Sequence, residues 1–287
     1  MTNTSKGLFI TSLGAFIISF EALLIKYTTV DPLVFSFYIG ICMFVSMYAV
    51  LLLKKQRLIE DIYKKSFKFA FLGAVLMAVS NIFFISAIKY TLTANVVLII
   101  AISPLFASLF AFLIYKIKPQ KNIYIASVFI FIGLFIIFSD QLGLGNMIGN
   151  IYAFICAITF SLSFVFLSHH TNINRTSLIA LSGVFLTVIT FFLAGSLYIS
   201  SNDLFYVLFM GLLITPISRV LIANGTKYIS ASEVSLLLII ETIMAPIWVW
   251  IFLNEVPSSL TLLGGTLIIV TLVVNSIYSI RKSRNQV

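Results

Sequence analysis

The sequence predicts an all-α integral membrane protein of ten transmembrane helices arranged as two inverted five-helix repeats. Three observations predict it. Only 9% of the 287 residues are charged while 61% are hydrophobic, and a water-facing surface cannot be built from so few charges when soluble domains carry about 25%. The apolar stretches are continuous, as in IYIASVFIFIGLFIIF (Ile123 to Phe138), whereas barrel strands alternate with period two. Their lengths suit helices, since a bilayer-spanning helix needs roughly 20 mainly apolar residues and satisfies its own backbone hydrogen bonds.

The expected helices are 8–27, 33–53, 68–88, 92–115, 122–139, 148–168, 176–199, 204–224, 231–253 and 259–280. The first follows Lys6, lacks a small-residue cleavage site and continues through Glu21 to Lys26. It reads as a retained span, not a signal peptide. Connections are short. The longest, Lys54 to Lys68, is basic and weakly amphipathic, which suits a loop on anionic headgroups.

Cytoplasmic loops carry the excess of Lys and Arg. With the N-terminus inside, the inner segments hold fifteen of the eighteen basic residues, leaving Lys26 and Lys89 outside and Arg219 within a span. Both termini are therefore expected in the cytoplasm and the chain in the cytoplasmic (inner) membrane. The net charge of +9 reports topology and lipid contact. It forms no groove-lining basic and aromatic pattern, so no nucleic acid is expected.

The two halves resemble each other. Lys89–Pro119 aligns with Lys227–Pro257 at a constant offset of 138, with 7 identities in 31 positions: Lys89, Tyr90, Val96, Leu98, Ile102, Ala107 and Pro119 match Lys227, Tyr228, Val234, Leu236, Ile240, Ala245 and Pro257. The offset is about half the chain. A five-helix unit repeated once must be inverted, and inverted repeats are common in secondary transporters, with the substrate site near the midplane. The expected units are 1–142 and 143–287.

The repeated segments carry a family resemblance. SAIKYTLTANVVLIIAISPLFASLFAFL is similar to the helix 3 to helix 4 signature of the drug/metabolite transporter superfamily, EamA type, and GTKYISASEVSLLLIIETIMAPIWVWIFLNE to its helix 8 to helix 9 counterpart. Lys26 and Asp31-Pro32 fit the same pattern. Ile39, Ile117, Thr242 and Arg219 depart from it. The resemblance implies alternating-access transport of a small polar metabolite, an amino acid or related compound, with export favoured. It does not name the cargo.

Charges at membrane depth are costly, so they mark a cavity or a partner. Glu241, in helix 9, suits a substrate ammonium, a coupling proton or a structural pair. Arg219 suits a substrate carboxylate or phosphate, a pairing with Glu241 or Glu233, or snorkelling. Glu21 is a cavity residue by its depth. Lys26 is expected to snorkel, Glu233 to sit at a helix N-terminus, and Glu255 at the outer interface. Asn81, Asn95 and Trp248 are further binding candidates, each with a packing alternative. Pro104, Pro216 and Pro246 can bend helices for gating. Gly133, Gly264 and Gly265 allow close helix contact, and Gly145 and Gly149 form a weak GxxxG.

His169 and His170 read as solvated interfacial residues, and Cys42 and Cys156 as small buried hydrophobes. No metal site, catalytic spacing or phosphate-binding loop is present in the sequence. Neither cofactor nor enzymatic activity is expected, and a proton is the candidate coupling ion. A monomer or weak homodimer is expected. A membrane-embedded enzyme, a channel and a non-transporting scaffold are the competing classes.

Overall fold

A computed structural model describes residues 3–56, 67–118, 121–141, 147–170, 173–225, 228–229, 234 and 237–284. Its described elements are all helical: α1 (Asn3–Ile18), α2 (Glu21–Tyr27), α3 (Pro32–Leu53), α4 (Phe67–Tyr90), α5 (Thr93–Ile100), α6 (Ser103–Tyr115), α7 (Lys121–Gln141), α8 (Met147–His169), α9 (Arg175–Leu193), α10 (Ser201–Phe209), a π-helical turn (Met210–Ile214), α11 (Thr215–Gly225), α12 (Ile239–Leu253) and α13 (Ser259–Arg284). Seven helical stretches are long and apolar enough to cross a membrane, and three shorter apolar helices accompany them (Ile123–Ser139, Ile239–Leu253 and Ser259–Asn275).

The surface confirms lipid as the solvent. On α7, Tyr124, Ile125, Val128, Phe129, Phe131, Ile132 and Phe135 all face outward, a stripe that water would penalise by about 25 cal/mol for each Å² of apolar area. The opposite side of the same helix sends Ile130, Leu134 and Ile137 into the core, with Phe35, Ile39 and Met43 from α3 and Ile85 and Ile88 from α4.

Local chemistry sets the helix starts. Asp31 accepts a 2.8 Å hydrogen bond from Leu33 N, and Pro32 follows it. Asn174 caps α9 by accepting from Thr176 N and Ser177 N, and Ser200 caps α10 through Asp203 N. Such side chains satisfy amide donors that have no intrahelical partner.

Three expected spans prove interrupted. The first breaks at Ser19–Phe20. Ser19 Oγ donates to Phe16 O at 2.6 Å, a local bond that competes with the helix ladder. The fourth breaks at Ala101–Ile102, and Pro104 then lies in the first turn of α6. Ser103 Oγ donates to Ile100 O, the carbonyl that Pro104 cannot serve, at 2.5 Å, and Ser161 of α8 donates to Ser103 O at 2.8 Å. In the eighth, the π turn precedes Thr215-Pro216. A proline cannot donate and crowds the carbonyl four residues back, and a wider turn relieves both defects. Pro246, by contrast, lies inside a continuous α12. The seventh helix ends at Leu193, short of the expected residue 199, because Ala194 leaves helical geometry just before Gly195-Ser196.

Packing repeats between the halves. The most extensive helix pairings are α4 with α8, α3 with α9, α7 with α13 and α1 with α11. Exchanging corresponding helices maps this set onto itself. The backbones approach closely at glycines. A Cβ on Gly183 would stand 2.7 Å from Gly40 O, and one on Gly264 would stand 2.6 Å from Gly133 O. Gly7 abuts Tyr228 and Ile229, while Gly149 abuts Tyr90 and Thr91. Even the helix ends agree. α6 and α12 both terminate in a left-handed residue, Lys116 (φ 60°) and Asn254 (φ 55°), at the offset of 138 read from the sequence.

Candidate functional site

The interruption in the first span organises a polar site inside the apolar core. Glu21 begins α2 and is buried. Its Oε1 accepts a 2.6 Å hydrogen bond from Thr215 Oγ1, at the start of α11. Glu241 lies in the first turn of α12. Both carboxylates therefore occupy the first turn of a helical segment, where the exposed amides favour negative charge.

One turn along α11 from Thr215 stands Arg219. It is level with the middle of the first span, because Gly14 packs against its neighbours Ser218 and Ile222. Arg219 is within electrostatic range of both Glu21 and Glu241, and the two acids feel each other. Among the described residues, no ion pair joins Arg219 to either acid, and its Nε is buried with no hydrogen-bond partner. Glu233, the other expected partner, lies outside the described residues. The site thus places two acids within the electrostatic reach of one guanidinium and leaves its Nε unsatisfied.

Trp248 packs against the same break. Its indole stacks on Phe20 at 4.6 Å and meets Phe16 edge-on at 5.7 Å. Its Nε1 donates to Ser19 Oγ at 2.9 Å, so the tryptophan is fastened to the break that positions Glu21. Trp250, two residues on, is exposed toward lipid.

The chain belongs to the EamA-like transporter family. The family matches twice, over residues 5–139 and again over 147–277. A relative described as an uncharacterized transporter, from Synechocystis sp., is 26% identical over 221 residues, which is 70% of this chain. The alignment spans 62% of that relative's own length. A solved crystal structure superposes with a TM-score of 0.69 at 15% identity, covering 96% of this chain and 98% of that one. That likeness concerns the fold.

Within this EamA-like fold the remaining sequence candidates fall elsewhere. Asn81 returns its amide to its own helix, donating to Met77 O at 2.7 Å. Asn95 is fully buried and joins α5 to α13, with Thr261 Oγ1 donating to its Oδ1 at 2.8 Å. Gly265 packs against Leu98, and Gly145 lies outside the described residues. Lys26 was expected to reach the interface by snorkelling. It forms an ion pair with Glu255 at 2.7 Å. His169 and His170 are not simply solvated either. His169 stacks on Tyr115 at 3.7 Å and His170 on Phe69 at 4.0 Å.

Ser19, Phe20 and Thr215 belong to the site and escaped the sequence reading. Hydroxyls in apolar helices usually bond back to their own backbone, so nothing in their types separated them from the other Ser and Thr. The proline after Thr215 was the available signal.

Proposed function

We propose that this protein is a secondary transporter that moves a small polar metabolite, an amino acid or related compound, across the cytoplasmic membrane by alternating access. The observation that carries the reading is the unsatisfied Arg219 Nε, whose guanidinium charge reaches Glu21 and Glu241. A guanidinium binds a carboxylate well and a carboxylate binds an ammonium. One cluster therefore offers complementary charges to both ends of a zwitterion. The wall of Phe16, Phe20 and Trp248 adds an apolar face. Interrupted helices supply such sites at membrane depth in many carriers.

The three shorter apolar helices complete ten spans in this reading. The exchange symmetry of the packing supports two inverted units, 1–142 and 143–287. The distribution of Lys and Arg supports cytoplasmic termini. Export is the direction proposed, and a proton is the proposed coupling ion, since two acids face one base.

The deciding experiment is flux of a pooled metabolite mixture in proteoliposomes, read by mass spectrometry, under imposed pH and voltage gradients. Movement of one zwitterionic class with the parent, and its loss in Glu241→Gln, is the expected result. No movement by folded protein under any gradient overturns the reading and favours a scaffold.

A further inference from the structure

At the Lys26 end of the bundle, segments from both halves converge on a small set of charged contacts. Lys26 Nζ pairs with Glu255 Oε2 at 2.7 Å and also donates to Thr91 O at 2.9 Å. The other Glu255 oxygen accepts from Thr93 N. One ion pair thus ties the end of α2, the turn between α4 and α5, and the segment after α12. Beside it, Lys89 Nζ donates to Thr28 O and to Thr28 Oγ1. Asp203 accepts from Thr29 N and Thr29 Oγ1, both at 3.1 Å, and so draws α10 onto the same turn. The paired side chains are only 17% and 16% exposed, so water screens them weakly compared with a surface pair.

The repeat does not carry this latch at both ends. The position matching Glu255 at the offset of 138 is Ile117, at the other end of the bundle. There the corresponding helix ends are closed by stacking of Tyr115 on His169 instead. Helices α5–α6 and α12 end with the same left-handed geometry, yet only one of them carries the acid. An ion pair required for packing would be required twice. One present at a single end, bridging segments from both halves, has the form of a closure.

We propose that Lys26–Glu255, with its contacts to Thr91 and Thr93, is the gate that shuts this end of the transport path, and that the structure holds it closed. The gate sits at the far end of α2 from Glu21, less than two helical turns away. Opening it exposes the break at Ser19–Phe20 and the site behind it. The consequence for cargo rests on the transport reading, but the gate itself can be tested without any cargo.

The test places a cysteine at Ser19, which is 1% exposed, and measures its reaction with a membrane-impermeant maleimide in intact cells and in inverted vesicles. Cys42 and Cys156 are both buried, and the protein without Ser19→Cys sets the background. Glu255→Gln and Lys26→Gln are expected to speed labelling from the outer side at least tenfold, the factor that 1.4 kcal/mol makes in an equilibrium, and to leave labelling from the inner side unchanged. The exchange Lys26→Glu with Glu255→Lys is expected to restore slow labelling. Equal acceleration from both sides would mean a loosened fold and overturn the proposal. So would unchanged outer labelling in both single variants, or failure of the exchanged pair to restore it. Side-specific labelling as expected, with no flux in the parent under any gradient, would instead fault the transport reading alone.

Discussion

Thr215 Oγ1 donates its 2.6 Å hydrogen bond to Glu21 Oε1 across the gap between two interrupted spans. The contact fastens the start of α11, just after its π turn, to the start of α2, just after the Ser19–Phe20 break. Two irregular backbones thereby hold each other in register. Thr215→Val keeps the shape and removes the donor. Leaving a buried acceptor unsatisfied costs about 1–3 kcal/mol, so the melting temperature in detergent should fall. Thr215→Ser should recover most of the loss. A Val variant as stable as the parent would show that Glu21 finds another partner.

Arg219 and the two acids should behave as a unit. Arg219→Gln removes a cation whose charge reaches Glu21 and Glu241 without pairing directly with either, and the melting temperature should fall. Adding Glu241→Gln removes one of the two acids that this cation offsets. The double variant is therefore expected to be more stable than the sum of the single effects, with a coupling of about 0.5–3 kcal/mol. Flux should fall at least tenfold in every variant. Thermal unfolding of the four proteins measures the cycle, and strict additivity would place Glu241 outside the field of Arg219.

Glu21, Arg219 and Glu241 were legible in the sequence because a charge in an apolar run has few tolerable explanations. A pairing of Arg219 with Glu241 was read from the sequence, but the contact of Glu21 with Thr215 was not, because it depends on how α2 and α11 meet. The seven long spans followed from hydropathy, which averages over about 19 residues. That averaging is blind to the break at Ser19–Phe20, where neither proline nor glycine interrupts the pattern. Breaks at Ala101 and after Met210 were partly legible, since Pro104 and Pro216 mark them. The Lys26–Glu255 pair was missed for a related reason. Each residue alone has a satisfactory interfacial reading, and only the fold brings the ends of α2 and α12 together.

The close crossings at glycine should tolerate no side chain. A Cβ on Gly183 would meet Gly40 O at 2.7 Å and Phe44 N at 2.8 Å. Both are backbone atoms and cannot swing aside, so α3 and α9 must separate. Overpacking of this kind costs about 1–3 kcal/mol. Gly183→Ala is expected to lower the melting temperature clearly. Gly195→Ala, where a Cβ meets nothing within 4 Å, should leave it nearly unchanged. Equal melting temperatures would mean that the helices slide apart freely at this crossing.

His170 should make the protein less stable in mild acid. Its ring lies on Phe69 at 4.0 Å, with His169 beside it at 5.5 Å. Burial, and then the neighbouring His169, hold its protonation below the usual histidine range. The folded chain therefore binds this proton less readily than the unfolded chain does. Above about pH 6.5, the ordinary histidine value, neither state is protonated there and the full stability is present. As the pH falls below that value, the unfolded chain takes up the proton first, and stability declines until the lowered folded value is passed. His170→Phe keeps an aromatic ring against Phe69 and removes the titration. Its melting temperature should thus decline less between pH 7 and pH 5 than that of the parent, in parallel scans in the same detergent. An identical decline in both proteins would assign the acid sensitivity to other groups and leave His170 as a packing residue.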